Sequence, residues 1–411
     1  MPEGDPSSSS APQRHVIIAG AGIGGLCAAL FMAKAGWRVT LAEKAEELQA
    51  FGAGLQMSPN AARLLDEIGI LDDLKDFRVE ASALVVRSGI SGEVLSRAEL
   101  GKTAQMRFGA PFFAVHRADL QNALRKRAEA HPAITLHLGL ALCDIAEKPE
   151  HITALFTQGE AEVRLQADLL VGADGVWSRA RQLAGLPSPS RYSGNTAWRA
   201  LIPREQAPIF ARETEVNLWF GGGVHLVHYP VCGGRDINVV CVIEDDWREE
   251  GWCSPGDPDV LMKKVAPWCA KARELVAAAP AWQRWALVQR APESRWSRAR
   301  MTLLGDAAHP MMPFLAQGAG AAIEDGATLA ALLAAPTPRP EQLTMALRRY
   351  DAARIPRTAR IQGEALRQGQ IYHVSGVLGR LRDTLMRVLP GKAMLRRYAW
   401  IFDHDARKIS Q

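Results

Sequence analysis

Six cysteines are scattered through 411 residues, at Cys27, Cys143, Cys232, Cys241, Cys253 and Cys269, with no CxxC pair and no metal-type spacing. That excludes a zinc ribbon or thioredoxin-like motif and suits free thiols in a reducing compartment. Residues 1–14 (MPEGDPSSSSAPQR) lack the positive n-region of a secretory signal; polar and rich in Ser and Pro, they are expected to be a disordered tail. No internal repeat or further low-complexity segment is present. Nor does an aromatic-interleaved basic motif accompany the formal charge of +5, so a nucleic-acid partner is not expected. The charge is uneven: from Arg339 onward 15 Lys/Arg face 6 Asp/Glu, and the rest is slightly acidic. A basic helical tail is either a solvated face or a contact for a membrane surface. Val16–Ala33 carries no charge, but four glycines between Gly20 and Gly25 make it a strand, a tight turn and a helix rather than a membrane span. A cytoplasmic protein without stable membrane insertion is expected, as monomer or homodimer.

A chain this long exceeds one compact core. His15–Ala19 reads as a buried strand, Leu26–Ala35 as a helix ending at Gly36, and Arg38–Glu43 as a second strand, which is a βαβ unit. Ser58-Pro59-Asn60 starts a helix running to about Gly69, Arg117–Ala130 reads as another, and Ala167–Val171 as an apolar strand. Alternating strand-like runs follow, at Glu215–Phe220, Val224–Tyr229 and Asn238–Ile243, separated by Gly-rich turns. The expected class is α/β: a Rossmann-like domain, an inserted mixed or antiparallel β-sheet domain and a helical C-terminus. The first would comprise 15–75, 106–185 and 292–335, the second 76–105 and 186–291, and the last 336–411.

Three turns carry chemistry. Gly20-Ala21-Gly22-Ile23-Gly24-Gly25 matches G-x-G-x-x-G between a strand and a helix, and Glu43 ends the next strand where an acid can hold a ribose hydroxyl pair. That pattern alone does not separate NAD from FAD. Gly172-Ala173-Asp174-Gly175, with Ser178 and Arg179, is either a ligand-facing turn or a plain Asp-Gly turn with a helix cap. In the third, the strand Met301–Leu304 runs into Gly305-Asp306, then His309-Pro310 and Pro313, and Gly318-Ala319-Gly320 opens a helix. One carboxylate for hydroxyls and one set of free N–H groups for an anionic atom suit a flavin.

With GAGLQMSPNA (52–61), HRADL (116–120), VGADGVWSR (171–179), HLVHYP (225–230) and GDAAHPMMPFLAQGAG (305–320), the chain resembles the single-component FAD-dependent aromatic hydroxylases of the para-hydroxybenzoate hydroxylase fold. Within them it is most similar to salicylate hydroxylase, 3-hydroxybenzoate 6-hydroxylase and 6-hydroxynicotinate 3-monooxygenase. The resemblance implies FAD as cofactor, with NADH or NADPH and O2 as co-substrates. It implies that Gly20, Gly22, Gly24 and Gly25 approach the pyrophosphate, with Glu43 and Lys44 at the adenosine end. Gly54, Arg117, Asp174 and Pro313 would contact the cofactor, Asp306 the ribityl chain, and the N–H groups of Gly318, Ala319 and Gly320 the pyrimidine end of the ring. It further implies that His225 and Tyr229, on one face of a strand at i and i+4, act on a phenolic hydroxyl; apart from the resemblance they are polar residues on a sheet face.

Trp198, Trp219, Met312 and Phe314 are candidate apolar walls, Pro313 a substrate contact as well, and Arg199 either a partner for a substrate carboxylate or a surface charge. The implied activity is hydroxylation of a small phenolic or hydroxy-N-heteroaromatic substrate through a flavin C4a-hydroperoxide. Two alternatives stay open: oxidation of a larger apolar substrate, such as an isoprenoid or quinolone, and a non-catalytic flavin redox sensor. Gln56 and Pro313 depart from residues found in some relatives, so the ring substituents are not fixed by the motifs.

Overall fold

The computed structural model describes residues 14–48, 53–186, 189–334 and 340–408. The expected disordered tail lies outside this range except for Arg14. A five-stranded parallel sheet has the order Met301–Leu303, Leu169–Gly172, His15–Ala19, Arg38–Ala42, Ile134–His137. Its central strand is fully buried and, beyond His15, apolar, as suits a strand covered on both faces. Because all five strands are parallel, their carboxyl ends share one edge, and the three glycine-acid turns all leave from that edge.

The second large sheet has eight strands, ordered Cys253–Gly256, Trp282–Gln289, Arg191–Pro203, Asp236–Glu244, Val224–Val231, Val216–Gly221, Ala83–Ser88 and Val94–Glu99. It is antiparallel except where Val216–Gly221 runs parallel to Ala83–Ser88. Register separates its faces. Phe220, His225 and Val242 are directly paired and share the inner face; one residue along, Trp219, Leu226, Cys241 and Trp198 share the outer face. The outer face forms its own core with the helices Pro258–Lys264 and Ala270–Ala277, around Trp198, Trp219, Trp268 and Leu275. A three-stranded antiparallel sheet at Ala141–Ala167 has no counterpart in the motif reading. Its alternation is interrupted by exposed turns at 148–150 and 159–160, so no long apolar run announces it.

The helix Gly318–Leu332 packs lengthwise on the helix Ile23–Lys34, where Gly24 admits Ala322 and Leu304 so closely that a Cβ would lie 3.0 Å from each. A 34-residue helix, Pro340–His373, then crosses both halves. It is tied down by a buried ionic cluster. Arg354 donates to Asp325 at 2.7 Å and to Glu324 at 2.8 Å, Arg357 adds two bonds to Glu324, and Asp325 also accepts from Gly305 N–H and His309. Burial alone would raise Glu324; the Arg354 and Arg357 guanidiniums more than reverse it and hold it at about 2. One carboxylate pair thus links the Gly305 turn to the C-terminal helices. No described helix is long and apolar enough to cross a membrane.

Candidate active site

Gly20 has φ +109, and a Cβ there would stand 2.3 Å from Ala173 O; at Gly25 it would stand 1.9 Å from Gly20 O. Both glycines are required by backbone packing. Gly22 differs: a Cβ there would meet nothing within 4 Å, so its side of the turn is open. It is also the N-cap of the first helix, which has no side-chain cap and no acid in its first turn. Glu43 locks this turn, accepting from Ala21 N–H at 2.8 Å and Ala45 N–H at 3.0 Å, and keeps spare lone pairs for a diol. Lys44 beside it is exposed, as is Arg117 in the first turn of Arg117–Glu129, a helix tied to the same turn by Gln121 Nε2 donating to Ala21 O at 3.0 Å. Gly54 N–H donates to Asn238 Oδ1 at 2.7 Å, which joins the two halves.

Asp306 is exposed just beyond the strand Met301–Leu303, inside a short turn at Gly305–Ala307. Gly318, Ala319 and Gly320 open a 15-residue helix that no side chain caps, and its first turn bond is Ala321 N–H to Gln317 O. Buried guanidinium nitrogens without a partner lie nearby, at Arg199 Nε, Arg181 Nε, and Arg290 Nε and Nη1, while Arg290 Nη2 donates to Val176 O and Ser190 Oγ. Arg290 feels Asp306, and burial followed by Arg181 pushes it down to about 10. Open amides, an exposed acid at a strand end and buried guanidinium N–H groups without partners fit a polyhydroxylated anionic cofactor such as FAD. No motif announces Arg290; it stands beyond the end of an ordinary strand.

Asp174 sits differently. Its carboxylate accepts from Ser178 Oγ at 2.5 Å and from Ala180 N–H at 2.9 Å, and Ser178 in turn caps Arg181 N–H. Arg179 is committed to Cys143 O and Gln182. These bonds show a turn-and-cap role and, as at Glu43, leave spare lone pairs on the carboxylate for a ligand. Gly24 likewise serves helix packing.

Opposite this edge lies a cavity of about 310 Å³. The inner face of the eight-stranded sheet supplies Val216, Leu218, Phe220, His225 and Val227, and Pro313 to Gln317 form the facing wall. Ala316 there holds φ 52, a left-handed conformation rarely adopted outside glycine. Gln317 is fixed by Ser58 Oγ and Asn60. The far end comes from the C-terminal helices, through Tyr372, Met386, Leu389, Met394, Tyr398 and Phe402. His225 is held among Phe314, Tyr372 and His373, and its Nδ1 lies 2.9 Å from His373 Nε2. Burial, then His373, keeps it well below the ordinary imidazole range.

Other sequence candidates land elsewhere. Tyr229 does not line the cavity: it shares His225's face but sits behind Gln56, which does line it and hydrogen-bonds its phenol, and burial raises that phenol. Trp219, expected as a substrate contact, and Trp198 are corrected: strand alternation turns both to the outer face, where Trp219 Nε1–H donates to His228. Arg199 is on the inner face but outside the cavity, nearest in charge to Tyr229 and Arg117, and burial lowers it. Met312 packs with Ala197 and Val242 rather than on the cavity, whereas Pro313 and Phe314 line it. His373 and the C-terminal wall carry no motif.

The family model described as FAD binding domain matches residues 13–365. The chain belongs to the FAD-dependent aromatic monooxygenases. It is 35% identical to a 3-amino-4-hydroxybenzoate 2-monooxygenase of Streptomyces platensis, over 96% of this chain and 97% of that one. It is 34% identical to a 3-hydroxybenzoate 6-hydroxylase of Aquipseudomonas alcaligenes, over 95% and 98%. The structure of Klebsiella pneumoniae HpxO with FAD and uric acid superposes with a TM-score of 0.83 at 25% identity, over 95% and 96%. This FAD-dependent aromatic monooxygenase is therefore an oxidoreductase, and its parallel sheet, inserted sheet and C-terminal helices follow that fold.

Proposed function

We infer that this monooxygenase hydroxylates a phenolic or hydroxy-N-heteroaromatic ring with O2 and NADH or NADPH. The observation carrying this reading is His225: a buried imidazole in the wall of a largely apolar cavity, facing the Pro313 turn beside the candidate flavin seat. The chemistry that FAD supplies when bound is acceptance of a hydride from the reduced nicotinamide and activation of O2. Residues Gly22, Glu43, Asp306 and the Gly318–Gly320 amides would hold it. Val227, Phe220 and Phe314 orient a ring and exclude water. Deprotonating a ring hydroxyl makes the ortho and para carbons electron-rich enough for one of them to attack an electrophilic oxygen, and a neutral His225 accepts that proton.

The substrate's polarity follows from the lining. Among the described residues Arg397 is the one cationic side chain at the cavity, 3.7 Å from Glu364. A benzoate-type carboxylate, as the two relatives' names imply for them, would have to recruit it. The Met and Leu far wall instead favours a ring bearing an apolar substituent, so this second reading is tested alongside the first. Purified holoenzyme is given NADH or NADPH under air with hydroxybenzoates, hydroxypyridines and their alkylated analogues. Substrate-stimulated oxidation with a hydroxylated product supports the reading, and the alkyl series reports how far the cavity accommodates bulk. Reduced-nicotinamide oxidation without hydroxylated product across the panel contradicts it.

A further inference from the structure

The geometry points to His225 and His373 as a two-imidazole relay that carries the substrate's phenolic proton out of the cavity. This rests on the hydroxylase reading above. His225 is 3% exposed and its Nδ1 is taken by His373, so Nε2 is the nitrogen left for a ligand. A buried base of this kind can receive a proton only briefly, because burial opposes its charge. The second imidazole removes that difficulty. His373 is half-buried, and it is the last residue of the helix Pro340–His373, where the carbonyl end of the dipole favours a cation. Glu244, at the end of the neighbouring strand, acts in the same direction, although burial keeps His373 below its ordinary value.

The proton balance is simple. The substrate O–H bond breaks as an N–H bond forms at His225 Nε2. The proton on His225 Nδ1 passes to His373 Nε2, and His373 Nδ1–H passes a proton to water. His225 ends neutral in its other tautomer, and the phenolate stays in the cavity.

The surroundings do not offer a competing route. Phe314 and Phe220 are apolar, and Tyr372 is a poor acid: burial raises its phenol, which donates to Phe314 O at 3.3 Å. Arg382 caps the end of the long helix through Ile371 O, Tyr372 O and Val374 O, but its charge is matched by Asp383 at 2.8 Å. The pairing also depends on the register of His373 in the long helix. A histidine one position earlier or later would point about 100° away from the strand. His373 is thus a positioning and proton-accepting residue contributed by a segment that the motifs do not reach.

The test separates proton release from turnover. Holoenzyme is mixed anaerobically, without reduced nicotinamide, with a phenol that the wild type hydroxylates, in weak buffer containing a pH indicator. The relay predicts fast release of a proton from the wild type. His373→Gln, which keeps a hydrogen bond to His225, should slow release at least tenfold. Its kcat should fall at least tenfold below the phenol's pKa, with KM within threefold, and recover at high pH or with an acidified fluorophenol. His373→Phe should behave the same way. Wild-type release rates and pH profile in His373→Gln would overturn the relay. So would a loss equal at every pH and for every phenol, which would mark a purely structural contact. A wild type that turns over no phenol would instead overturn the hydroxylase reading.

Discussion

His225 and His228 are three residues apart on one strand and both are buried, yet they have opposite surroundings. His225 faces the cavity and His373; His228 faces the outer core, with Trp219 Nε1–H at 3.2 Å and Phe210 beside it. Both imidazoles are held neutral by burial, with His228 down to about 3 through burial and Arg87. Depressed basicity therefore does not identify the functional histidine. What distinguishes His225 is a free nitrogen on a ligand-sized cavity and a second group able to take the proton onward. The alternation of the strand assigns those roles: His225, Val227 and Tyr229 go inward, Leu226 and His228 outward.

The sharpest break of this comparison is His225→Asn. Hydroxylation should fall about 10²- to 10⁴-fold, most at low pH, with FAD still bound; steady-state rates and the flavin spectrum check it. Arg354→Met tests whether the C-terminal helix holds the inner histidine's surroundings in place. It removes a guanidinium shared by the buried Glu324 and Asp325, leaving Glu324 to Arg357 and Asp325 to His309, which costs about 3–5 kcal/mol, read from denaturant midpoints. The same cluster gives an acid limb. Glu324 is depressed from 4.5 to about 2 when folded, so its contribution is full above about pH 4.5 and disappears as pH falls toward 2. Thermal melts across that window should show the loss. His228→Leu strands the Trp219 N–H and should cost about 1–3 kcal/mol of stability while leaving turnover of the folded enzyme unchanged. Tyr229→Phe, one layer behind the cavity, should change kcat by less than about threefold.

The cofactor edge was readable because its requirements are local. Gly20, Gly25 and Glu43 act within a single turn, so spacing along the chain reports them. The parallel sheet follows from short buried apolar runs such as VIIA at 16–19. The cavity was half readable. HLVHYP singles out His225, which does line the cavity, but alternation from His225 through its partner Phe220 turns Trp219 away from it. At Asp174 a cap and a ligand contact use the same residues, so the motif does not choose between them. His373, Arg354 and the Met386–Phe402 wall were invisible, since nothing local ties a histidine at the end of one helix to a strand 148 residues earlier. Their roles arise only when the C-terminal helices fold back over the inner face.

The most direct test of the central claim is product mass after turnover under ¹⁸O₂, with holoenzyme, reduced nicotinamide and the hydroxyaromatic panel. A ring hydroxylase working from the His225 cavity incorporates one ¹⁸O into the aromatic product. Consumption of reduced nicotinamide with hydrogen peroxide as the only oxygen product, and no ¹⁸O in any ring, would contradict the account.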